Sequence, residues 1–458
     1  MTRHFDAIII GTGQAGPSLA ARFSASGMTV AIIERNKFGG TCVNTGCIPT
    51  KTLVASAYAA HTARRGADYG FSISGDVQVD MKRVKARKDE VVARSNSGVE
   101  EWLRGLAGCT VIQGHARFES PRTVRVNDDV LEGSKIFINV GGRASIPTIP
   151  GLDDIPFLTN SSMMEVDFIP RHLMIVGGSY IGLEFAQMYR RFGSEVTILE
   201  MGPRLAGRED EDISDAIREI IETEGIRVRL GAKCISMSIR GEDIAVGLDC
   251  GQEPKEFVGS HVLLATGRVP NTQDLGLDKT GVGVNPRGYI TVDDELRTSA
   301  PDIWAMGDCN GRGAFTHTAY NDYEIVADNL LAGGRRRVSD RIPTYALFID
   351  PPLGRCGMSE NEIRKSGIPA LVVHYPMKRV SRAVEKGETQ GLIKISVHAE
   401  TKQILGAAIL GTGGDEVIHV LLDLMYAKAP YTLLQHAMHI HPTVSEYLPT
   451  IMSKLQPL

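Results

Sequence analysis

Two cysteines near the start of the chain have a residue type and spacing suited to redox chemistry. Cys42 and Cys47 lie in the segment GGTCVNTGCIPTK, residues 39–51. A zinc site needs four ligands, usually with a shorter Cys-x-x-Cys spacing, and no second pair of Cys or of Cys and His stands nearby. We therefore expect no metal here and interpret the pair as reactive thiols.

The residues after the second cysteine predict a helix. The segment TKTLVASAYAAHTARR has helical character, and Pro49 falls in the first turn, where proline is tolerated. Cys47 then lies at the helix N-terminus, which favours a thiolate. Such a thiolate can serve both as an electron conduit and as a nucleophile.

A histidine and a glutamate near the other end of the chain could transfer protons. His441 and Glu446 lie in the segment HIHPTVSE, residues 439–446. Disulfide exchange needs a proton donor for the leaving thiolate and a base for the incoming thiol, and the pKa of histidine suits both tasks. Glu446, beyond a turn that contains proline, can orient and polarise the imidazole. His439 is expected to be a packing or surface residue.

A strand, a glycine-rich turn and a helix are predicted ahead of the cysteines. Residues 6–35 continue into a second strand that ends in Glu34, which completes a βαβ unit. Gly11 permits the tight turn, Gly13 lets a pyrophosphate approach the backbone, and Gly16 lets helix and strand pack closely. The helix N-terminus offers N–H groups to the phosphates, and Glu34 can accept hydrogen bonds from a ribose.

A near copy of this unit covers residues 172–201. Its turn reads GGSYIG, in which Gly177 and Gly182 hold the first and last positions and Ser179 stands where a second glycine is usual. Glu200 closes the second strand. Two such units in one chain predict two dinucleotide sites.

Length and composition exclude several classes of protein. The 458 residues suggest about three domains. With 50 basic and 54 acidic residues the formal charge is −4, without the basic excess typical of nucleic-acid binding. The chain has no apolar run long enough for a bilayer, and the short run before the first turn is too short for a signal peptide. Seven sparse cysteines do not form a secreted disulfide framework, so we expect a cytoplasmic protein that binds neither nucleic acid nor membranes.

Turn-forming segments divide the chain into domains. Residues 110–140 predict a meander of short strands, and the following segment GGRASIPTIPGLDDIP marks a boundary. A second boundary is predicted at residues 332–341, where Gly-Gly and three arginines interrupt the pattern. These arginines are interpreted as a solvated linker.

The chain resembles the class I pyridine nucleotide-disulfide oxidoreductases, which include glutathione reductase, dihydrolipoyl dehydrogenase and mercuric reductase. The resemblance rests on GGTCVNTGCIPTK beside GTGQAG, and later motifs follow in the family's order over essentially the whole chain. It implies an α/β fold with two Rossmann-like dinucleotide-binding domains, for FAD and NAD(P), and a C-terminal α+β dimerisation domain. The implied domains are FAD-binding, first part (1–145), NAD(P)-binding (146–266), FAD-binding or central, second part (267–335), and dimerisation (340–458).

The resemblance also implies roles around the flavin. Cys47 would lie against the flavin as the charge-transfer thiol, and Cys42 would attack the substrate. Lys51 would lie near the reactive flavin nitrogen, paired with Glu184. The ring of Tyr180 would cover the flavin until the nicotinamide arrives.

Further cofactor contacts are implied by the later motifs. Asp308 matches the family's Gly-Asp, whose carboxylate accepts a hydrogen bond from a ribityl hydroxyl. Thr41, in GGTC, and Gly267, in ATGR, are the other cofactor-binding candidates. The junction at residues 139–142 lacks the family's threonine and receives no binding role, and Cys309 is expected to be a small buried residue.

Three residues at and just after the end of the second βαβ unit bear on the choice between NADH and NADPH. Glu200 would accept a hydrogen bond from a free ribose 2′-hydroxyl and repel a 2′-phosphate, which favours NADH over NADPH. Arg204 and Arg208 could reach a 2′-phosphate, so NADPH stays open. In the family, the residues that match His441 and Glu446 serve the disulfide of a partner subunit, which implies a homodimer.

The substrate is expected to be a small oxidised molecule. Mercuric reductase ends in a vicinal cysteine pair, whereas the last cysteine here is Cys356, which argues against efficient mercury reduction. The motifs GCIPTKTL, DPPLGRCGMSE and HPTVSE most resemble the mercuric-reductase-like branch with the bacterial reactive-chlorine-resistance flavoproteins, which reduce hypothiocyanous acid or copper(II). Dihydrolipoyl dehydrogenase is the alternative enzyme, and a flavin-bound redox sensor is the alternative from another class.

Overall fold

The structure is a computed structural model that describes residues 2–248 and 255–458. The first unit of its fold combines parallel strands and helices. Its elements are β1 (Thr2–Ile10), α1 (Ala15–Ala25), β2 (Val30–Glu34), α2 (Gly40–Asn44), α3 (Cys47–Arg64), α4 (Met81–Arg104), β3 (Cys109–Gln113), β4 (Ala116–Ser120), β5 (Thr123–Val126), β6 (Asp129–Ile138) and β7 (Gly142–Ala144). The inner ends of β1 and β2 are buried on both faces, as continuous apolar runs in parallel strands require. The predicted strand, turn, helix and strand are all present.

Seven strands form the sheet of this unit. The order is β3-β2-β1-β6-β5-β4, and a later strand, Ile303–Ala305, also pairs with β6. β4, β5 and β6 form an antiparallel meander, but β3 pairs in parallel with β2. The meander predicted for residues 110–140 is therefore wrong for its first strand, because helices α2 to α4 connect β2 to β3 as a crossover between parallel strands.

The second unit repeats the pattern of strand, turn, helix and strand. Its elements are β8 (His172–Val176), α5 (Tyr180–Phe192), β9 (Glu195–Glu200), α6 (Glu211–Thr223), β10 (Arg227–Leu230), β11 (Ile235–Arg240), β12 (Asp243–Leu248), β13 (Glu256–Gly259) and β14 (His261–Leu264). A parallel sheet has the order β10-β9-β8-β14, and β11, β12 and β13 form a separate antiparallel sheet. Leu173 and Ile175 of β8, both fully buried, pack in one core with Leu183 and Ala186 of α5.

Two short strands join the first two units. β15 (Arg268–Pro270) pairs antiparallel with β7, with Arg268 opposite Ala144. The chain then returns to the first sheet through β16 (Ile303–Ala305) and continues into α7 (Thr316–Leu331). The chain thus leaves and re-enters the first unit at one place.

The third unit is an antiparallel sheet with helices. Its elements are β17 (Thr344–Leu347), β18 (Leu353–Gly357), α8 (Glu360–Ser366), β19 (Ala370–Pro376), α9 (Ser381–Glu385), β20 (Leu392–His398), β21 (Ile404–Leu410), α10 (Gly414–Tyr426), α11 (Tyr431–Gln435), α12 (Tyr447–Met452) and β22 (Gln456–Pro457). The strand order is β17-β18-β21-β20-β19-β22. The predicted fold class is confirmed. Within residues 2–248 and 255–458, every helix is too short or too polar to cross a lipid bilayer.

Candidate active site

The two N-terminal cysteines lie on adjoining helices. Cys42 is in α2, and Cys47 is the first residue of α3, as the sequence predicts. Their thiols form a hydrogen bond with each other, and neither sulfur is in a disulfide. The Sγ atom of Cys47 also lies 3.0 Å from Oγ1 of Thr316, the first residue of α7. Three helices therefore meet at a reduced dithiol.

The contact between the thiols shifts their pKa values in opposite directions. The hydrogen bond from Cys42 lowers the pKa of Cys47 to about 6, against the effect of burial and with help from Thr316 and the charge of Lys51. The same hydrogen bond, together with burial, raises the pKa of Cys42. At neutral pH the pair therefore holds a thiolate on Cys47 and a proton on Cys42.

A lysine from α3 forms an ion pair with the second unit. Lys51 Nζ lies 2.7 and 2.8 Å from the two carboxylate oxygens of Glu184 in α5. The ammonium also lies 4.5 Å from the ring centroid of Phe348, whose backbone N–H donates to the same carboxylate. Because the Glu184 side chain is only 8% exposed, this pairing fixes the position of the Lys51 ammonium on α3, the helix that begins with Cys47.

The first glycine-rich turn has the geometry that a pyrophosphate requires. Gly11 has φ of +105°, and a Cβ there would fall 2.3 Å from the carbonyl oxygen of Asn139. A Cβ on Gly16 would fall 2.3 Å from the carbonyl oxygen of Gly11. The side chain of Gln14, which precedes α1, does not cap this helix, so the N–H groups of its first turn can bind phosphate oxygens. The turn fits a dinucleotide.

Two further side chains brace this turn. The buried carboxylate of Glu34 accepts hydrogen bonds from the backbone N–H of Thr12, at 3.0 Å, and from its hydroxyl, at 2.6 Å. The side-chain amide of Asn139 donates to the carbonyl of Gly13, at 3.2 Å. Asn139 received no role in the sequence analysis, yet it holds the middle glycine.

The predicted Thr41 lies in α2, which packs directly on the first turn. A Cβ on the neighbouring Gly40 would fall 2.8 Å from the Cα of Gly13. The helix that carries Cys42 therefore contacts the turn that would hold the pyrophosphate. The dithiol and the first glycine-rich turn therefore lie side by side.

The second glycine-rich turn has the same backbone strain. Gly177 has φ of +113°, and a Cβ on Gly182 would fall 2.0 Å from its carbonyl oxygen. The carboxylate of Glu200 accepts from the backbone N–H of Gly178, at 2.6 Å, and of Gly202, also at 2.6 Å. Ser179 precedes α5 with an exposed side chain that does not cap the helix.

The ring of Tyr180 begins α5 and packs among other aromatic rings. It meets Phe315 at a centroid distance of 6.1 Å and Tyr345 at 5.4 Å, both edge to face. Its hydroxyl lies 3.2 Å from the carboxylate of Glu209. Phe315 immediately precedes Thr316, so this aromatic cluster borders the dithiol.

The later motifs lie beside the junction of the first two units. Gly267 has φ of +113°, and its carbonyl accepts from the N–H of Ser145 at 2.9 Å. Burial raises the pKa of the Asp308 carboxyl, and the guanidinium of Arg268, 3.4 Å away, opposes that shift. Cys309 is fully buried, as the sequence predicts.

The histidine and glutamate near the C-terminus form a pair. Nδ1 of His441 lies 2.8 and 3.0 Å from the carboxylate oxygens of Glu446. The His441 side chain is 76% exposed, and the neighbouring Ile440 is 79% exposed. Within the described part of the chain, no hydrogen bond or ion pair joins His441 to the dithiol. His439 bonds the carbonyl of Ser445 instead.

Four site residues were not found from the sequence. They contact predicted site residues from distant parts of the chain and are Asn139, Glu209, Thr316 and Phe348. Only the position of Thr316 at the start of a helix soon after the Gly-Asp motif offered a signal. The others needed the tertiary structure.

Two models of one protein family match this chain. A family model described as pyridine nucleotide-disulphide oxidoreductase matches residues 5–322, and one described as the dimerisation domain of that family matches residues 343–452. These two matches cover most of the chain. Residues 323–342 lie between the two matches.

Individual proteins are similar over nearly their full length. The probable pyridine nucleotide-disulfide oxidoreductase RclA of Escherichia coli K12 is 38% identical, covering 98% of this chain and 99% of that protein. The dihydrolipoyl dehydrogenase of Thermus scotoductus is 34% identical (97% and 96% covered), and the mercuric reductase of Streptomyces lividans is 33% identical (97% and 94% covered). The solved Cu(II) complex of the HOCl-induced flavoprotein disulfide reductase RclA from Escherichia coli matches with a TM-score of 0.90 at 36% identity, covering 98% of this chain and 99% of that one.

Proposed function

This chain belongs to the pyridine nucleotide-disulphide oxidoreductase family, and from that premise we propose that it reduces a small oxidised acceptor through Cys42 and Cys47. The family is FAD-dependent and uses pyridine nucleotides, and bound FAD would transfer an electron pair from the nicotinamide to the disulfide form of the two cysteines. The observation that carries the proposal is the contact between the two thiols at the N-terminus of α3.

The same proposal divides the chain into cofactor domains. Residues 1–145 and 267–335 would bind FAD, residues 146–266 would bind the nicotinamide dinucleotide, and residues 340–458 would form the dimerisation domain. The pairing of β7 with β15 and the return of β16 to the first sheet support this division.

Cys42 is the proposed nucleophile toward a disulfide or sulfenyl acceptor. Its sulfur forms a bond to one acceptor sulfur, and the leaving group departs with the electron pair and takes up a proton. The Cys47 thiolate then attacks the sulfur of Cys42, forms the Cys42–Cys47 disulfide, and releases the second half of the acceptor. Because the pKa of Cys42 is raised, Cys42 must lose its proton to a base before it attacks.

His441 is the proposed base and acid for these steps. Glu446 occupies Nδ1, so Nε2 is left to accept the proton of Cys42 and to return it to the leaving group. The exposed His441–Glu446 pair would reach the dithiol of a second copy of the chain. The match to a dimerisation domain supports this homodimer.

NADH is the proposed electron donor rather than NADPH. The Glu200 carboxylate closes β9 beside the second turn, where it would repel a 2′-phosphate. The guanidinium of Arg204 already pairs with Glu211 at 2.7 Å. These contacts support the preference that the sequence predicts.

Two classes of acceptor are proposed. The leading class is a small inorganic oxidant, hypothiocyanous acid or a metal ion, which the similarity to the HOCl-induced reductase of Escherichia coli supports. The second is a lipoyl disulfide, which the similarity to dihydrolipoyl dehydrogenase supports. A steady-state panel of hypothiocyanous acid, Hg(II), Cu(II), lipoamide and oxidised glutathione, each with NADH and NADPH, tests the choice.

The variant Cys42→Ser tests the route through the dithiol. Turnover with every disulfide or sulfenyl acceptor is expected to fall to background, while NADH still bleaches the flavin absorbance. Unchanged turnover would refute the proposal. A purified protein without bound flavin would also refute it.

A further inference from the structure

The carboxylate of Glu209 joins two phenols from different units. Its Oε1 atom accepts from the hydroxyl of Tyr345 at 2.6 Å and from the hydroxyl of Tyr180 at 3.2 Å. Tyr180 begins α5 in the second unit, and Tyr345 lies in β17 in the third. One carboxylate oxygen therefore accepts two hydrogen bonds, and each donor weakens the hydrogen bond of the other.

The position of Glu209 is fixed by a buried arginine. Its other oxygen, Oε2, lies 3.3 Å from a guanidinium nitrogen of Arg355 in β18. The side chains of Glu209 and Arg355 are 0% and 5% exposed. Since a buried carboxylate needs a paired counter-charge, Arg355 fixes the Glu209 carboxylate at the place where it accepts from both phenols.

The next residue is attached to the third unit as well. Asp210 accepts hydrogen bonds from the backbone N–H groups of Glu360 and Asn361, at 2.9 and 3.1 Å. Its carboxylate also lies 3.2 Å from the buried ammonium of Lys394. Two consecutive carboxylates thus tie the loop before α6 to the third unit, and this loop cannot follow Tyr180 when that ring moves.

We propose that Glu209 is a positioning residue that holds the ring of Tyr180 in its closed position and so sets the energy needed to admit the nicotinamide. This inference rests on the proposed function and on the role that the family resemblance implies for Tyr180, whose ring would cover the flavin until the nicotinamide arrives. Moving the ring breaks the hydrogen bond from Tyr180 to Glu209, while the edge-to-face contact with Tyr345 is also lost. The closed ring therefore reduces the apparent affinity for the nicotinamide dinucleotide.

Two phenol-to-phenyl variants are expected to change this affinity in opposite directions. Tyr180→Phe keeps the ring but removes the donor to Glu209, so the dinucleotide should bind roughly three- to tenfold more tightly. Tyr345→Phe removes the competing donor and leaves Oε1 to Tyr180, so binding should weaken by a similar factor. A general disturbance of packing would not produce opposite signs.

The matched control is the second tyrosine of helix α5, Tyr189. Tyr189 is fully buried, and its hydroxyl has no hydrogen-bond partner within the described ranges. Tyr189→Phe is expected to leave binding unchanged. Glu209 itself is left intact, because Glu209→Gln would remove the counter-charge of the buried Arg355 and destabilise the fold.

The measurement is calorimetric titration of the oxidised, FAD-loaded protein with NAD⁺ and NADP⁺, which reports binding without turnover. Tighter binding to Tyr180→Phe and weaker binding to Tyr345→Phe supports the inference. Equal affinities in the two variants, or changes of the same sign, overturn it. If neither dinucleotide binds the unmodified protein, the proposed function itself fails.

Discussion

Thr316 Oγ1 lies 3.0 Å from Sγ of Cys47, although 269 positions separate the two residues in the chain. Thr316 begins α7, whose N-terminus faces the dithiol from the return segment of the first unit. The hydroxyl helps to lower the pKa of Cys47 and opposes part of the rise in the pKa of Cys42. The reactivity of the dithiol therefore depends on a helix that the cysteine motif does not include.

The pH dependence of alkylation should separate the two cysteines. The pKa of Cys47 is lowered from 9.0 to about 6, so its thiolate persists at neutral pH and is lost as the pH falls through about 6. Cys42, whose pKa is raised, should stay unmodified at neutral pH. Mass spectrometry after timed exposure of the reduced protein to iodoacetamide measures each site. A midpoint near the ordinary thiol pKa for Cys47 would contradict this expectation.

Removing the hydroxyl of Thr316 should move the Cys47 midpoint to higher pH. Thr316→Ala deletes one donor to the thiolate, and we expect the alkylation rate near the midpoint to fall roughly two- to fivefold. The same mass-spectrometric assay reads the change. The control is Thr52→Ala, because that hydroxyl donates to the carbonyl of Ile48 within the same helix, α3. Equal midpoints in both variants would show that Thr316 does not act on the thiolate.

Replacing Lys51 should destabilise the junction of the first two units. Lys51→Met leaves the carboxylate of Glu184, 8% exposed, without its ammonium partner. Because Lys51 is one-third exposed and partly screened by solvent, the free energy of unfolding should fall by only about 1–2 kcal/mol. Urea denaturation measures it. The control is the exposed Lys82, and Lys82→Met should change the free energy of unfolding by less than about 0.5 kcal/mol. An equal loss of stability in both variants would argue against a stabilising role for the ion pair of Lys51 with Glu184.

Loss of the imidazole of His441 should impair acceptor reduction alone. His441→Gln removes the proposed proton carrier, and turnover should fall roughly 10²- to 10⁴-fold. Reduction by NADH should keep its rate in stopped-flow mixing, because no described contact links His441 to the dinucleotide turns. The imidazole of His439 bonds the carbonyl of Ser445, and His439→Gln should keep nearly full turnover. A similar loss in both variants would indicate a structural effect.

The charge of Glu200 should set the nicotinamide preference. Glu200→Gln removes the repulsion of a 2′-phosphate, so the ratio of kcat/KM for NADPH to that for NADH should rise roughly tenfold. Glu195→Gln is the control, because it lies at the far end of the same strand, β9, and pairs with Arg227. An unchanged ratio for Glu200→Gln would refute the assigned role.

Site residues that lie close together in the sequence were predictable. Three kinds of site residue are separated by no more than about two helical turns of sequence. They are the glycines of each turn, the cysteine pair and the His441–Glu446 pair. Local backbone geometry brings such residues together. The αL-type φ angles of Gly11 and Gly177 are examples, since the spacing of the glycines already requires them.

Long-range contacts were not predictable from one sequence. Phe348 contacts the Lys51 ammonium, and Glu209 contacts the Tyr345 hydroxyl, only because three units pack against each other. The neighbour of β3 was predicted wrongly for a related reason. Its residues have the pattern of a strand, but its position at the edge of the sheet follows from its parallel pairing with β2. Periodicity predicts an element, whereas packing of distant elements decides its neighbour.

The pairing of β7 with β15 brings the two ends of the second unit side by side. A unit whose two ends lie side by side can be replaced as a whole, because the rest of the chain is interrupted at only one place. Under the proposed function, recombination between relatives could therefore replace the second unit, and with it the proposed preference for NADH, while the dithiol stays in the rest of the chain.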